Sequence, residues 1–152
     1  MSYGRYFENF TTGEVIKHDL SKTIFESDNN LFSLLTMNHH PVHLDIEYAK
    51  NNHHEKILVV GTLIFSLVVG MTVGDISGKA VANLNYEEIQ HQGPCFIGDT
   101  INCETEVLST RESKSNSNAG IIYVETRAFN QHGNKILTFR RNVLIKKEVN
   151  NG

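Results

Sequence analysis

At 152 residues, the chain has the length of one domain and can bury a sizeable core. Its formal net charge of −3 argues against nucleic acid as a partner, because nucleic-acid binding needs a basic surface. Cys95 and Cys103 are too few for a disulfide framework and are not spaced as zinc ligands, so we expect free thiols in a reducing, cytoplasmic compartment.

The first predicted elements are a strand and a short amphipathic helix. Residues 14–24 have the composition of a strand and are followed by a polar turn. Leu31, Leu34 and Leu35 then recur at helical spacing, which predicts an apolar stripe that faces the core. The next step of this stripe is Asn38, whose amide either caps the helix end or faces a pocket.

Four groups that can handle protons or hydrogen bonds crowd around Pro41: Asn38, His39, His40 and His43. Because proline interrupts a helix, these side chains are expected on a bent, rigid segment. Histidine is the usual proton-transfer group near neutral pH. A metal site would need His39 and His43 on one continuous helical face, which Pro41 prevents, so no metal is predicted.

The middle of the chain is predicted to contain two helices. Residues 45–50 form a short helix, and a polar linker over residues 51–56 carries His53 and His54, which we expect to be exposed. Residues 58–74 carry no charge and are long for a buried strand, so they predict a helix buried on all sides. Their glycine, serine and threonine content and limited length argue against a membrane span.

Strands are predicted for the second half of the chain. Residues 79–91 form one extended segment, and residues 101–107 alternate between apolar and polar with a period of two. A polar loop is expected over residues 109–120. The last two strands, 121–130 and 135–147, are joined by a hairpin turn.

This order of elements predicts an α+β fold in which an antiparallel sheet wraps around one long helix. There is no internal repeat and no linker, so a single domain is expected over residues 1–152. Residues 1–10 are polar and mixed in charge, unlike a secretory signal. The tail, residues 148–152, is expected to fray.

Several short motifs follow one another in a particular order along nearly the whole chain. They include Gly4-Arg5-Tyr6-Phe7-Glu8-Asn9-Phe10, Leu35-Thr36-Met37-Asn38, Pro41-Val42-His43-Leu44-Asp45, Gly98-Asp99-Thr100, Ala119-Gly120-Ile121 and Phe139-Arg140-Arg141. In this order they resemble the MaoC-like acyl-thioester hydratases. The resemblance implies the hot-dog fold, a curved antiparallel sheet around a long central helix, and homodimers that can pair further into a trimer of dimers.

The resemblance also implies an activity. Members of this family hydrate an enoyl-coenzyme A thioester, or dehydrate the 3-hydroxyacyl product, with coenzyme A as part of the substrate and no other cofactor. The family's motif has an aspartate five residues before its histidine. Here His43 matches the histidine and Asn38 stands at the aspartate position. Asparagine at this place resembles the branch that acts on branched or dicarboxylic acyl-CoA, such as mesaconyl-, methylmalyl- or itaconyl-CoA.

Three residues receive catalytic roles from this resemblance and from chemistry. His43 is expected to be the base that takes a proton from water, and to return it. An amide cannot titrate, so Asn38 is expected to orient the water, and the pH–rate profile to show one dominant group. Backbone N–H groups near Gly61, at the start of the long helix, are expected to stabilise the enolate oxygen. A plain turn glycine is the alternative for Gly61.

Two further pairs of residues are candidate substrate contacts. His39 and His40 are expected to contact a substrate carboxylate or simply to lie at the surface. Arg111 and Lys114 are candidates for the coenzyme A phosphates, with a solvated loop as the alternative.

Two other functions stay open at the level of the sequence. Hot-dog folds also host thioester hydrolysis, which needs an acidic residue near the thioester, and Asp45 is the one that this segment offers. Because Asn38 replaces the usual aspartate, a non-catalytic acyl-CoA-binding module is the second alternative.

Overall fold

Long strands from the second half of the chain build the framework of the molecule. The computed structural model describes residues 3–149, so the ends of the chain, including most of the predicted frayed tail, lie outside the described residues. The strands are β1 (Val15–Lys17), β2 (Lys22–Thr23), β3 (Ala80–His91), β4 (Thr100–Glu112), β5 (Ala119–Phe129) and β6 (Lys135–Lys146). The helices are α1 (Glu26–Leu35), α2 (Pro41–Leu44), α3 (Ile46–Lys50) and α4 (Gly61–Thr72), with a 3₁₀ turn at Phe7–Asn9.

The sheet is antiparallel and has the strand order β1-β4-β5-β6-β3, with β2 also paired to β4. Helix α4 packs its buried residues Ile64, Val68 and Met71 into an apolar cluster with strand residues that include Leu137 and Phe139. Burial of this apolar surface is the main force that holds the helix in the sheet. The predicted α+β architecture, a sheet around one long helix, is confirmed.

The first predicted strand is interrupted. Val15–Lys17 and Lys22–Thr23 both pair with β4, but Lys17 lies opposite Glu104 and Lys22 opposite Ile101. Five steps along the first segment therefore oppose three along β4, and the intervening chain bulges out of the ladder. The continuous strand expected over residues 14–24 was wrong, because composition does not report where a ladder is broken.

The predicted orientation of α1 was also wrong. Leu31, Leu34 and Leu35 are exposed, at 68%, 54% and 75% of their surface, whereas the buried residues of α1 are Asn29 and Ser33. Asn29 lies inward because α1 runs beside the start of α4, where the Val60 N–H lacks an intrahelical partner and bonds to the Asn29 Oδ1. The buried Ser33 hydroxyl has no hydrogen-bond partner among the described residues. Helical spacing gave the correct element but the wrong face.

Helix α4 was expected to be buried on all sides, and this was wrong for one face. Thr62, Ser66 and Gly70 follow one another at intervals of four residues and point to solvent, because the sheet covers only the opposite side. The helix itself is also shorter than the predicted run over residues 58–74. Residues 58–60 are extended before α4, and the chain continues after it as a π-helical turn, Val73–Ser77.

The loop predicted over residues 109–120 is mostly strand. Strand β4 continues to Glu112 and β5 already begins at Ala119, because cross-strand pairing such as Arg111 with Ile121 joins backbone groups whatever their side chains. Only residues 113–118 connect the two strands. The hairpin turn between β5 and β6 is confirmed by the hydrogen bond from the Gly133 N–H to the Asn130 carbonyl, at 3.0 Å.

Candidate active site

The segment that carries His43 is shaped by proline and by two caps. Helix α1 ends at Leu35, and Pro41 occupies the first position of α2, where its missing N–H costs nothing. The His40 ring caps α2, because its Nδ1 accepts from the Val42 N–H at 3.2 Å. Asp45 caps α3 in the same way by accepting from the Tyr48 N–H at 3.0 Å. The bent, rigid segment expected from Pro41 is confirmed.

The hydrogen bond of His43 defines its tautomer. Nδ1 of His43 lies 2.6 Å from the carbonyl oxygen of Leu58. A carbonyl can only accept, so Nδ1 carries the hydrogen and the lone pair of a neutral ring lies on Nε2. The half-buried ring is thereby oriented as a base, with Nε2 free to accept a proton.

A buried asparagine joins this segment to the start of α4. Asn29 is 1% exposed; its Nδ2 donates to the His43 carbonyl at 3.1 Å, and its Oδ1 accepts from the Val60 N–H at 2.9 Å. One side chain therefore holds the backbone of His43 and the entrance to α4 at a fixed spacing. The sequence contained no signal for this role, because both partners of Asn29 are backbone groups.

The start of α4 presents free donors. Within residues 3–149, the N–H groups of Gly61 and Thr62 have no hydrogen-bond acceptor, whereas the N–H of Leu63 already bonds to the Val60 carbonyl at 3.0 Å. These two donors lie at the positive end of the helix dipole. Such an arrangement can stabilise a developing oxyanion.

His43 and Gly61, two of the predicted site residues, line one cavity of about 440 Å³. The other lining residues are His54, Leu58, Val59, Ile64, His91, Gln92, Gly93, Pro94, Cys95 and Ile136. His91 and His54 were not predicted as site residues, and His54 is half-buried rather than exposed. A histidine at the end of a strand gives no periodic signal that would have identified His91.

Three other predicted residues lie outside this lining. Asn38 is half-buried, and its Oδ1 is 3.4 Å from the N–H of His40. His39 and His40 are exposed.

The predicted phosphate contacts lie far from the cavity. Arg111 is near the end of β4, opposite Ile121, and Lys114 is in the connection that follows. The cavity is at the other end of the sheet, where β3 ends at His91. At about 3.3 Å per residue, the length of β4 puts roughly 30 Å between Arg111 and that end.

A second cavity of about 440 Å³ adjoins the first and shares the wall formed by Gln92, Gly93, Pro94 and Ile136. It is lined by Lys56, Lys135 and His132, and by the ring of Phe96. The Lys56 ammonium lies 4.1 Å from the centre of that ring. This cavity therefore offers cationic groups and an aromatic face beside the first one.

The cysteine in the first cavity is a thiol and not a nucleophilic thiolate. Cys95 and Cys103 are free thiols, as predicted, and both are buried. Burial, reinforced by the Asp99 carboxylate, raises the pKa of Cys95 to about 12. A covalent thioester intermediate on Cys95 is therefore disfavoured at neutral pH.

Within residues 3–149 no three His, Cys, Asp or Glu side chains are grouped as metal ligands. No helix in the same range has the length and apolar character needed to cross a membrane.

The sequence and fold match known proteins. Residues 1–151 match the family model of mesaconyl-CoA hydratase. The chain is 36% identical over 144 residues to mesaconyl-CoA hydratase of Cereibacter sphaeroides, which covers 95% of this chain but 42% of that protein. It is 32% identical over 117 residues to the (R)-specific enoyl-CoA hydratase of Aeromonas caviae, covering 77% of this chain and 83% of that enzyme.

The fold also matches that of a solved structure. A conserved protein of Mycobacterium tuberculosis with a double hot-dog fold superposes with a TM-score of 0.89 at 18% identity, covering 97% of this chain and 46% of that one. The chain thus spans about 42% of the length of the mesaconyl-CoA hydratase that it matches. With its family match and its sheet wrapped around α4, the chain belongs to the mesaconyl-CoA hydratase family of MaoC-like proteins with the hot-dog fold.

Proposed function

We propose that this chain is an acyl-CoA hydratase or dehydratase, a hydro-lyase that adds water to an α,β-unsaturated acyl-CoA or removes it from the product. The observation that carries the proposal is that His43, oriented as a base, lines the same cavity as the free N–H group of Gly61. The family match supports the same reaction.

The proposed reaction uses three groups of the chain. Nε2 of His43 takes a proton from water while the water oxygen bonds to the β-carbon. The electron pair of the double bond then forms an enolate, whose oxygen accepts a hydrogen bond from the Gly61 N–H. Asn38 cannot titrate and lies outside the lining of the cavity, so its role in orienting the water stays a prediction. A proton delivered to the α-carbon by an imidazolium of the cavity completes the addition.

For the acyl group we propose a branched or dicarboxylic chain, such as mesaconyl-, methylmalyl- or itaconyl-CoA, in keeping with Asn38 and with the family match. A contact between His39 or His40 and a substrate carboxylate stays a prediction. Coenzyme A is proposed as part of the substrate, with no separate cofactor.

The nucleotide end of coenzyme A has two candidate sites. The cavity beside the active site offers Lys56 and Lys135, together with the ring of Phe96. The ammonium groups suit phosphates, and the Asp99 carboxylate shares the lining with them. Arg111 and Lys114 can reach the same coenzyme only if a second copy of the chain supplies them.

We propose that the chain forms a homodimer through β3. This strand is an edge of the sheet and exposes Val81, Leu84, Tyr86 and Ile89 by 48%, 50%, 40% and 43%. An exposed edge with apolar side chains is a template for pairing with another strand. Antiparallel pairing of β3 with its copy would bring the Ala80 end of one chain beside the His91 end of the other.

An assay with crotonyl-, mesaconyl- and itaconyl-CoA tests the function. Loss of the conjugated thioester without release of free thiol is the expected result. Release of thiol would instead indicate hydrolysis, which Asp45 does not favour, because its carboxylate caps α3 and does not line the cavity. Binding without any reaction would indicate a non-catalytic acyl-CoA-binding module.

His43→Ala is expected to lower the rate of hydration by at least about 10²-fold, the usual share of general acid–base catalysis. His53→Ala is the matched control, since His53 is exposed and does not line the cavity. Near-normal hydration by His43→Ala would remove this residue from the mechanism.

A further inference from the structure

The ring of His91, an exposed residue at the mouth of the cavity, lies against the start of α4. His91 is the last residue of β3 and pairs with Leu137, and the next residue, Gln92, donates its N–H to the Ile136 carbonyl at 2.9 Å. A Cβ placed on Gly61 would lie 3.2 Å from both Nε2 and Cε1 of the His91 ring. The imidazole therefore lies beside the free N–H groups of the helix, on a strand that fixes its backbone.

No carboxylate lines this cavity among the described residues. Its titratable groups are His43, His54, His91 and Cys95, and the Cys95 thiol holds its proton at neutral pH. Hydration of a conjugated thioester must take one proton from water and deliver one to the α-carbon. With an amide at position 38, both transfers depend on imidazoles.

Of the two histidines besides His43, His91 is the one next to the oxyanion donors. His54 belongs to the connection between α3 and α4, and its ring meets the rings of His53 and Phe96 edge-on, with centroids 4.7 and 5.4 Å apart. The His91 ring instead lies beside the Cα of Gly61, the residue whose N–H is proposed to bind the thioester carbonyl. The α-carbon is bonded to that carbonyl, so it lies within reach of the same ring.

We propose, on the basis of the hydratase function proposed above, that His91 is a second catalytic residue, which exchanges a proton with the α-carbon while His43 exchanges one with water. In hydration, neutral His43 takes the proton of water as the oxygen bonds to the β-carbon, and the electron pair of the double bond moves into the enolate. That pair then forms the new C–H bond with the proton of the His91 imidazolium. One turnover leaves His43 protonated and His91 neutral, and exchange with solvent resets both rings.

Proton exchange at the α-carbon of a saturated acyl-CoA, such as butyryl-CoA in D₂O, tests this role separately from hydration. Exchange needs the α-carbon base and the oxyanion donors but no activated water. His91→Gln is expected to lower both exchange and hydration of crotonyl-CoA by about 10²-fold or more. His43→Gln is expected to lower hydration and keep exchange, and the control His53→Gln to keep both.

The pH–rate profile of hydration supplies a second readout. With two catalytic imidazoles, two ionisations are expected in the intact chain, in place of the one dominant group expected from the sequence alone. One of the two is expected to disappear in His91→Gln. Thermal unfolding of each variant is measured first, and a change of the same histidine to asparagine replaces any glutamine variant that does not fold.

The outcomes separate the two proposals. If the intact chain hydrates crotonyl-CoA and His91→Gln hydrates it equally well, the role of His91 is overturned and the hydratase function stands. Exchange that persists in His91→Gln but disappears in His43→Gln would assign both protons to His43. An intact chain that neither hydrates nor exchanges any of the tested thioesters would overturn the function itself, and the role of His91 with it.

Discussion

Single polar side chains set the geometry around the cavity, and Asn29 has the largest part in this. Its buried amide satisfies one backbone donor and one backbone acceptor that belong to different elements. Buried polar groups are costly unless they are paired, so removal of this amide leaves both partners unsatisfied. The spacing between the His43 base and the helix donors therefore depends on a residue that has no chemical role of its own.

Asn29→Ala is expected to lower the free energy of unfolding by about 1–3 kcal/mol for each unpaired backbone group, and to lower kcat more than it raises KM. Urea unfolding and steady-state kinetics measure the two effects. Asn30→Ala is the control, because Asn30 is the exposed neighbour on the same helix. A loss of stability with an unchanged kcat would show that Asn29 is only structural.

Gly61→Ala tests the contact between Gly61 and the His91 ring, and it is expected to lower activity. The new Cβ would lie 3.2 Å from the His91 ring, so the ring must shift by a few tenths of an ångström and kcat is expected to fall about tenfold. Gly70→Ala on the same helix meets nothing within 4 Å. That control is expected to gain about 0.5–1 kcal/mol of stability with unchanged kcat, as glycine within a helix costs this amount relative to alanine. Equal kinetics of the two variants would contradict the contact with His91.

At the scale of elements, α1 shows that helical spacing identifies a helix without identifying its partner. The apolar stripe of α1 faces outward, and its inward face carries Asn29 and Ser33. The neighbour of α1 is the start of α4, where the Val60 N–H takes its acceptor from Asn29. The packing partner of a helix, rather than its own apolar residues, thus determined which face is buried.

Leu34→Gln on α1 is expected to change the free energy of unfolding by no more than about 0.5 kcal/mol, since surface substitutions have small effects. Ile64→Ala on α4, a residue 3% exposed, is expected to cost about 2–5 kcal/mol because it leaves a cavity in the core. Chemical denaturation of both variants gives the comparison. A large loss from Leu34→Gln would mean that another surface covers this stripe in solution.

At the scale of the whole molecule, β3 is the long edge strand of the sheet, whereas β1 at the other edge has three residues. Tyr86 of β3 packs against Phe65 of α4, with ring centroids 5.1 Å apart, so the edge strand and the helix form one continuous surface. Most of β3 is exposed, although it pairs with β6 along its other side. This surface is where a second copy would extend the sheet.

Leu84→Lys is expected to convert the proposed dimer into a monomer, because a lysine on an edge strand opposes pairing with another strand. Light scattering coupled to gel filtration measures the mass. Leu20→Lys, a change of a comparably exposed leucine near the opposite edge, is expected to leave the dimer intact. An intact chain that is already monomeric at micromolar concentration would reject the proposed interface.

The sequence by itself determined the elements and the family. Period-two alternation predicted strands, an uncharged run predicted the helix that became α4, Pro41 predicted the break before His43, and the order of motifs predicted the hot-dog fold. These signals are local or lie in motif order, so they can be read from one chain without coordinates.

Only the tertiary structure decided the inward face of α1, the bridge made by Asn29 and the place of His91 beside Gly61. Each of these depends on groups that are distant in the chain and are brought together by the curl of the sheet. The partners of Asn29 are backbone atoms, and His91 meets a glycine that has no side chain. Contacts of this kind leave no pattern of side chains in the sequence, because the fold itself supplies one of the two partners.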